Sequence, residues 1–304
     1  MNTVLWCGGT TEAWREAGCD GPACLRPLVD RPMVQHVIER LVDAGHSTFH
    51  LLCDEHQPAL EQALGNGVRW GATFSYWRGT ALANNALLRT LAGTGPVLFG
   101  TAATMPVHER ALLADAGAGV TLFVTAAEHA WTGWAWMDAE TVAACASTLP
   151  LTRAPEPACP RGAFSNADVE HLIDVRTPAA LLASEALLLQ GAIPDLELTG
   201  RQPEPGIWIG RGATVHASAR LIAPVHVGPR AHVGAHAQVG PFVVVGEGSV
   251  VEHGTVLRRA SISPGNYVGP DLDVDSAVAV GRMLVDTRLG VTVEVADRFL
   301  MDRL

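Results

Sequence analysis

The stretch Val225-His-Val-Gly-Pro-Arg-Ala-His-Val233-Gly-Ala-His-Ala-Gln-Val239-Gly-Pro-Phe-Val-Val-Val245-Gly246 repeats with a period of six. An aliphatic residue opens each repeat, and the register extends both ways: Ile209, Val215, Leu221, Val227, Val233, Val239, Val245, Val251 and Leu257. Glycine follows directly at Gly210, Gly228, Gly234, Gly240 and Gly246. Four positions after each aliphatic stands a small or β-branched residue, from Ala213 through Val225 and Ala237 to Ser261. Chance does not hold nine hexads in one register. The frame slips by one at Ile262 and continues to Val268-Gly269.

The period predicts a parallel β-helix. Each hexad supplies one short flat face, its aliphatic pointing inward, and glycine stands at the corner where a Cβ would clash. Three faces per coil turn nine hexads into about three coils, stacked at the ~4.8 Å strand spacing. Nine buried aliphatics at ~1.5–3 kcal/mol each give a core that chain entropy largely offsets, so the ends need capping. The tail from Asp271 to Leu304 breaks the pattern and is the expected cap.

The first half has a different rhythm. Val4-Leu5-Trp6-Cys7 reads as a strand that ends in Gly8-Gly9-Thr10-Thr11. Pro32 to Ala44 reads as a helix, with Val34, Val37, Ile38 and Leu41 at helical spacing and Gly45 closing it. Strands at Phe49 to Cys53, Ala72 to Trp77 and Val97 to Phe99 alternate with helices at Pro58 to Leu64 and Ala81 to Leu91. That alternation predicts a doubly wound α/β sheet with ligands at the carboxyl ends of its strands. The proline-rich stretch Pro150 to Gly162 is an expected loop, and a helix from Pro178 to Gln190 leads into the β-helix.

Composition excludes several classes. The 304 residues suffice for two domains, and 48% hydrophobic against 17% charged residues describes a globular chain. A net charge of −10 argues against nucleic acid and anionic membranes as partners. All 21 basic residues are Arg, which removes every mechanism that needs a lysine. Cys7, Cys19, Cys24, Cys53, Cys145 and Cys159 show neither CxxC nor zinc spacing, and reduced thiols are expected. With no basic, apolar leader and no apolar run of 18 residues, the expected location is cytoplasmic, without membrane insertion.

The second half resembles the left-handed β-helix of hexapeptide-repeat proteins. The order of strand, Gly8-Gly9 loop, Pro22-Ala-Cys-Leu-Arg-Pro-Leu-Val-Asp-Arg-Pro-Met33, helix and second strand resembles sugar-1-phosphate nucleotidyltransferases. Those enzymes join a nucleoside triphosphate to a sugar phosphate, and many carry a left-handed β-helix after the catalytic domain. Gly79-Thr80-Ala81 is similar to the family's base-side loop, and Ile173-Asp174-Val175-Arg176-Thr177-Pro178 to its W-x-D-x-G-T-P stretch. The resemblance implies an α/β fold: a Rossmann-like nucleotidyltransferase domain over 1–200, then a left-handed parallel β-helix with its cap over 201–304. It implies nucleotide or sugar-phosphate contacts at Gly8, Gly9, Thr10, Arg26, Gly79 and Thr80. Asp174 is the implied metal carboxylate, for Mg²⁺ if the site is active and for no cofactor otherwise. The implied setting is nucleotide-sugar supply for bacterial surface polysaccharide, with a protein of that synthesis as a further partner.

The departures fall on the chemistry. The family's G-G-x-G-T-R loop continues here as Thr11-Glu12-Ala13-Trp14, with no Arg in place and Arg15 shifted. The lysine of its P-K dipeptide is Ala23, and the metal aspartate of its G-D is Thr101. Losing one charge-stabilising group typically costs ~10²–10³-fold in rate. Arg26, His108 and Glu109 are the nearest substitutes. Three readings stay open: a catalytically degenerate member acting by binding or assembly, an active nucleotidyltransferase, and a hexapeptide acyltransferase using His216, His226, His232, His236 or His253 as base. Trp131, Trp134 and Trp136 read as core or as a sugar platform. Between Val225 and Glu252 only Arg230, Glu247 and Glu252 are charged, and this predicts a homo-oligomer with the β-helices at its centre.

Overall fold

A computed structural model describes residues 1–53, 58–79, 81–107, 119–145, 164–193 and 196–304. Thr80, His108, Glu109 and the Pro150 to Gly162 loop lie outside these residues. The chain divides into two compact units, Met1–Gly9 with Pro22–Leu25 and Met33–Asp174, and Thr10–Gly21 with Arg26–Pro32 and Val175–Leu304.

The first unit is built on seven strands: β1 (Asn2–Trp6), β2 (Thr48–Cys53), β3 (Thr73–Arg78), β4 (Val97–Thr101), β5 (Val120–Thr125), β6 (Trp131–Met137) and β7 (Phe164–Val169). Their order is β7-β5-β6-β4-β1-β2-β3. β4, β1, β2 and β3 run parallel, and β6 is antiparallel to both β4 and β5. The central strands are apolar runs because helices cover a parallel sheet on both faces. Val4, Leu5, Phe49, Leu51, Val97 and Leu98 are accordingly buried. The helix Met33–Asp43 buries Val34, Val37, Ile38 and Leu41, the residues its spacing predicts. Gly45, at φ +93°, ends it, with its N–H on the Val42 carbonyl at 2.8 Å. β5, β6 and β7 were not legible from the alternation. β6 carries three tryptophans and a glycine, with no turn residues or helical pattern to mark it.

In the second unit the hexads form three parallel ladders, with five strands on one face and four on each of the others. Ile209, Val227, Val245, Ile262 and Ala279 stack in register on the first face. Val215, Val233, Val251 and Val268 do so on the second, and Leu221, Val239, Leu257 and Val274 on the third. A one-residue slip before Ile262 and a second one before Ala279 each shorten a coil by one residue without moving the inward column. The β-helix is therefore longer than nine hexads suggest. The strand Asp273–Asp275 still belongs to it, and the cap begins with the antiparallel strands Met283–Asp286 and Val291–Glu294.

The corner glycines answer to the neighbouring coil. A Cβ on Gly210 would fall 2.4 Å from the Pro229 nitrogen, and one on Gly228 2.8 Å from the Val245 oxygen. Positive φ falls two positions later, on Gly212, Arg230, Gly248 and Gly265.

The expected uncharged outer face has a different explanation. Val243 points inward; His226, Val244, Ser261 and Val278 point outward on the first face, yet all four are buried. The helix Pro178–Leu189 packs on the strands Ala277–Val280 and Pro27–Leu28, and Thr199 meets His226. The chain covers this face itself. Among the described residues no helix is long and apolar enough to cross a membrane.

Candidate functional site

In the first unit the parallel strands bring the expected residues to one sheet edge. Trp6 at the end of β1 pairs with Leu52 and Thr101, and Cys53 pairs with Arg78. Gly8 and Gly9, Gly79 and Thr101 thus emerge together. Gly9 has φ +83° and open space for 4 Å around the position a Cβ would take, and its carbonyl accepts the Ala23 N–H at 3.1 Å. Gly79 donates to the Cys53 carbonyl at 2.8 Å.

The two substituted positions are committed to packing. Ala23 is buried. A Cβ on Gly100 would fall 2.4 Å from the Trp134 ring, and one on Gly133 2.7 Å from the Thr101 methyl. The Gly100-Thr101 dipeptide therefore fits β4 against β6. Trp134 and Trp136 are fully buried and the Trp134 indole donates to the Thr104 carbonyl at 3.0 Å, so both are core and no sugar platform.

Asp174 ends the strand His171–Asp174 and pairs antiparallel with Thr104, three residues beyond Thr101. The following Thr177-Pro178 starts a helix: the Thr177 hydroxyl caps it at the Ala180 N–H, 3.1 Å. Mg²⁺ prefers octahedral oxygen ligands. Among the described residues no group of three His, Cys, Asp or Glu side chains is placed to hold a metal ion.

Three thiols pack beneath the strand ends, a cluster that sequence spacing did not reveal. Cys7 is hydrogen-bonded to Cys24 and Cys53, and these bonds together with burial push its pKa far above the ordinary thiol range. The Cys24 thiol reaches the Cys7 carbonyl at 3.4 Å. Cys7 and Cys53 each close a parallel strand, and that shared position was the available clue.

The loop continuation belongs to the second unit and is tied to its own chain. The Trp14 indole, buried, donates to the Val175 carbonyl at 2.7 Å. The hydroxyls of Thr10 and Thr11 donate to the carbonyls of Gly21 and Arg176, and Arg15 donates to the Thr10 carbonyl at 2.9 Å. Arg26 lies over the Trp14 ring at 5.3 Å and donates to the Gly21 carbonyl at 3.1 Å. Sequence reasoning passed over Trp14, which organises this segment.

The β-helix histidines fall into two sets. His226 is buried, its Nε2–H donates to the Thr199 carbonyl at 3.1 Å, and burial lowers its pKa, so it is neutral. His216 and His232 are exposed and bonded to the hydroxyls of Ser218 and Thr214, both at 2.8 Å, and exposed His236 and His253 complete the set.

No protein-family model matches the chain, and no curated protein matches it by sequence. Among solved structures it is similar to a protein from Bacillus anthracis described as a glucose-1-phosphate thymidylyltransferase, in complex with sucrose. The TM-score is 0.52 at 15% identity, over 66% of this chain and 97% of that one. The likeness is one of fold. The fold is thus an α/β sheet followed by parallel β-helix ladders, and the likeness extends over two thirds of the chain.

Proposed function

We propose that this chain is a sugar-1-phosphate nucleotidyltransferase relative that has lost catalysis and acts by binding a nucleotide, nucleotide sugar or sugar phosphate, in the supply of nucleotide sugars to surface polysaccharide. The observation that carries the reading is what occupies the loop positions. Where the family needs a cation and phosphate-wrapping amides, the segment after Gly9 is tied to its own chain through Thr10, Thr11, Trp14 and Arg15. Arg26, the nearest replacement cation, is engaged with Trp14 and Gly21. Ala23 and Thr101 stand in place of charged groups, and phosphoryl-type transfer relies almost wholly on positioning and charge.

The strand ends retain features of a binding site. Gly9 offers open backbone at positive φ beside Gly8, with Gly79 and Asp174 in the same unit. The test pairs each common nucleoside triphosphate with glucose- or mannose-1-phosphate and Mg²⁺. Purified protein should release no pyrophosphate above blank, while a nucleotide or nucleotide sugar raises its melting temperature and Gly9→Val removes that rise. Turnover abolished by Asp174→Ala would install the enzyme reading instead.

A further inference from the structure

The first coil of the β-helix has no coil before it. In later coils the amide at the positive-φ corner donates backward: Arg230 to the Arg211 carbonyl at 3.0 Å, Gly248 to Pro229 at 2.8 Å and Gly265 to Glu247 at 2.8 Å. Gly212 holds the same corner in the first coil, at φ +74°, and among the described residues its N–H has no acceptor. It lines a cleft of about 570 Å³ together with Thr199, Gly200, Arg201, Arg211 and Pro229.

Both arginines of that cleft are exposed, and among the described residues neither guanidinium has a hydrogen-bond or ion-pair partner. Elsewhere in the unit Arg230 is paired with Glu247, Arg258 with Asp273, Arg259 with Asp275 and Arg282 with Glu294. Acidic residues outnumber basic ones 31 to 21, so two neighbouring arginines without carboxylates run against the chain's own charge balance. Guanidinium groups match phosphate oxygens in geometry, and a backbone N–H beside them adds a fixed donor.

We propose that this cleft binds the phosphate of a phosphorylated small molecule, held by Arg201, Arg211 and the Gly212 amide. The cleft leaves room beside the phosphate for a further group such as a sugar. The site shares no residue with the strand ends and does not rest on the reading above.

Calorimetric titration with inorganic phosphate at constant ionic strength tests it. Wild-type protein should show saturable binding, and the R201Q/R211Q double variant should bind at least about tenfold more weakly with unchanged melting temperature. Arg220, also exposed and without a partner among the described residues, is the control: R220Q should leave the affinity within about twofold. Gly9→Val should also retain binding, which separates this site from the strand ends. Absent binding, equal weakening by R220Q, or loss in Gly9→Val with retention in the double variant would each overturn the proposal.

Discussion

Glu185 lies buried in the helix Pro178–Leu189, where its carboxyl accepts the Ser261 hydroxyl at 2.9 Å and the Val29 N–H. Burial pushes its pKa from the ordinary 4.5 up to about 8, against the opposing effect of the two hydrogen bonds. The folded state therefore holds this proton more tightly than the unfolded chain. The associated stability is full below pH 4.5, falls as the pH climbs, and is lost above about 8. The limiting slope is about 1.4 kcal/mol per pH unit, so the total reaches a few kcal/mol. Glu185→Gln keeps an acceptor for both donors and removes the titration. Urea melts at pH 5, 6.5 and 8 should show wild type losing stability to alkali while the variant holds its own, and parallel pH profiles would refute this account. Buried His226 acts in the opposite direction: with its pKa lowered, its contribution is lost as the pH falls below the ordinary 6.5. From sequence, Ser184 and Glu185 only interrupt an apolar run; both are in fact buried side chains of the helix that covers the β-helix.

At the scale of elements, the corner glycines separate two demands that one sequence motif mixes. Gly228 leaves no room, since a Cβ would sit 2.8 Å from backbone atoms of Val245 and Glu247. Gly248 has open space but positive φ, +67°. Gly228→Ala should cost the 1–3 kcal/mol of overpacking or more, roughly, because only backbone could yield. Gly248→Ala should cost about 1 kcal/mol, the ordinary penalty of that conformation. Thermal melts of the two variants decide, and an equal or larger loss at Gly248 would show that backbone conformation, not coil spacing, sets the requirement. The hexads were legible because one aliphatic and one glycine recur against a coil that keeps 18 residues until the slip before Ile262. The strand ends at Gly9, Gly79 and Thr101 were legible because parallel strands deliver consecutive loops to one edge. Trp14 and the thiol cluster were not, since both depend on contacts between residues far apart in sequence: Trp14 reaches Val175, and Cys7 meets Cys24 and Cys53. The antiparallel β6 was missed because its residues serve packing, with Trp134 against Gly100, and leave no alternation to read.

For the whole molecule, the question of self-association moves from the first face of the β-helix to its far end. Of Val243 and Val244 on that charge-poor stretch, Val244 is the one that faces outward, and it is 3% exposed beneath cover supplied by the chain itself. The outward columns of the other two faces include Thr214 with His232, and Arg220 with Gln238 and Asp273, all exposed. Apolar side chains instead reach solvent in the cap hairpin, where Leu289 is 74%, Val291 48% and Val293 51% exposed. Val291–Glu294 is the terminal strand of its eight-stranded sheet, so among the described residues one edge of its backbone has no ladder partner. An apolar edge strand with no proline is a template for pairing, and a closed two-fold dimer satisfies both copies at once. We therefore expect a homodimer formed through this edge. Val291→Glu with Val293→Glu should shift the sedimenting mass to monomer while circular dichroism stays unchanged, because both side chains already face water. Val244→Glu should act differently, placing a charge in a buried contact and unfolding the protein before dissociating it. A wild-type chain that sediments as a monomer at tens of micromolar would end the idea, and a dimer indifferent to both edge substitutions would place the interface elsewhere.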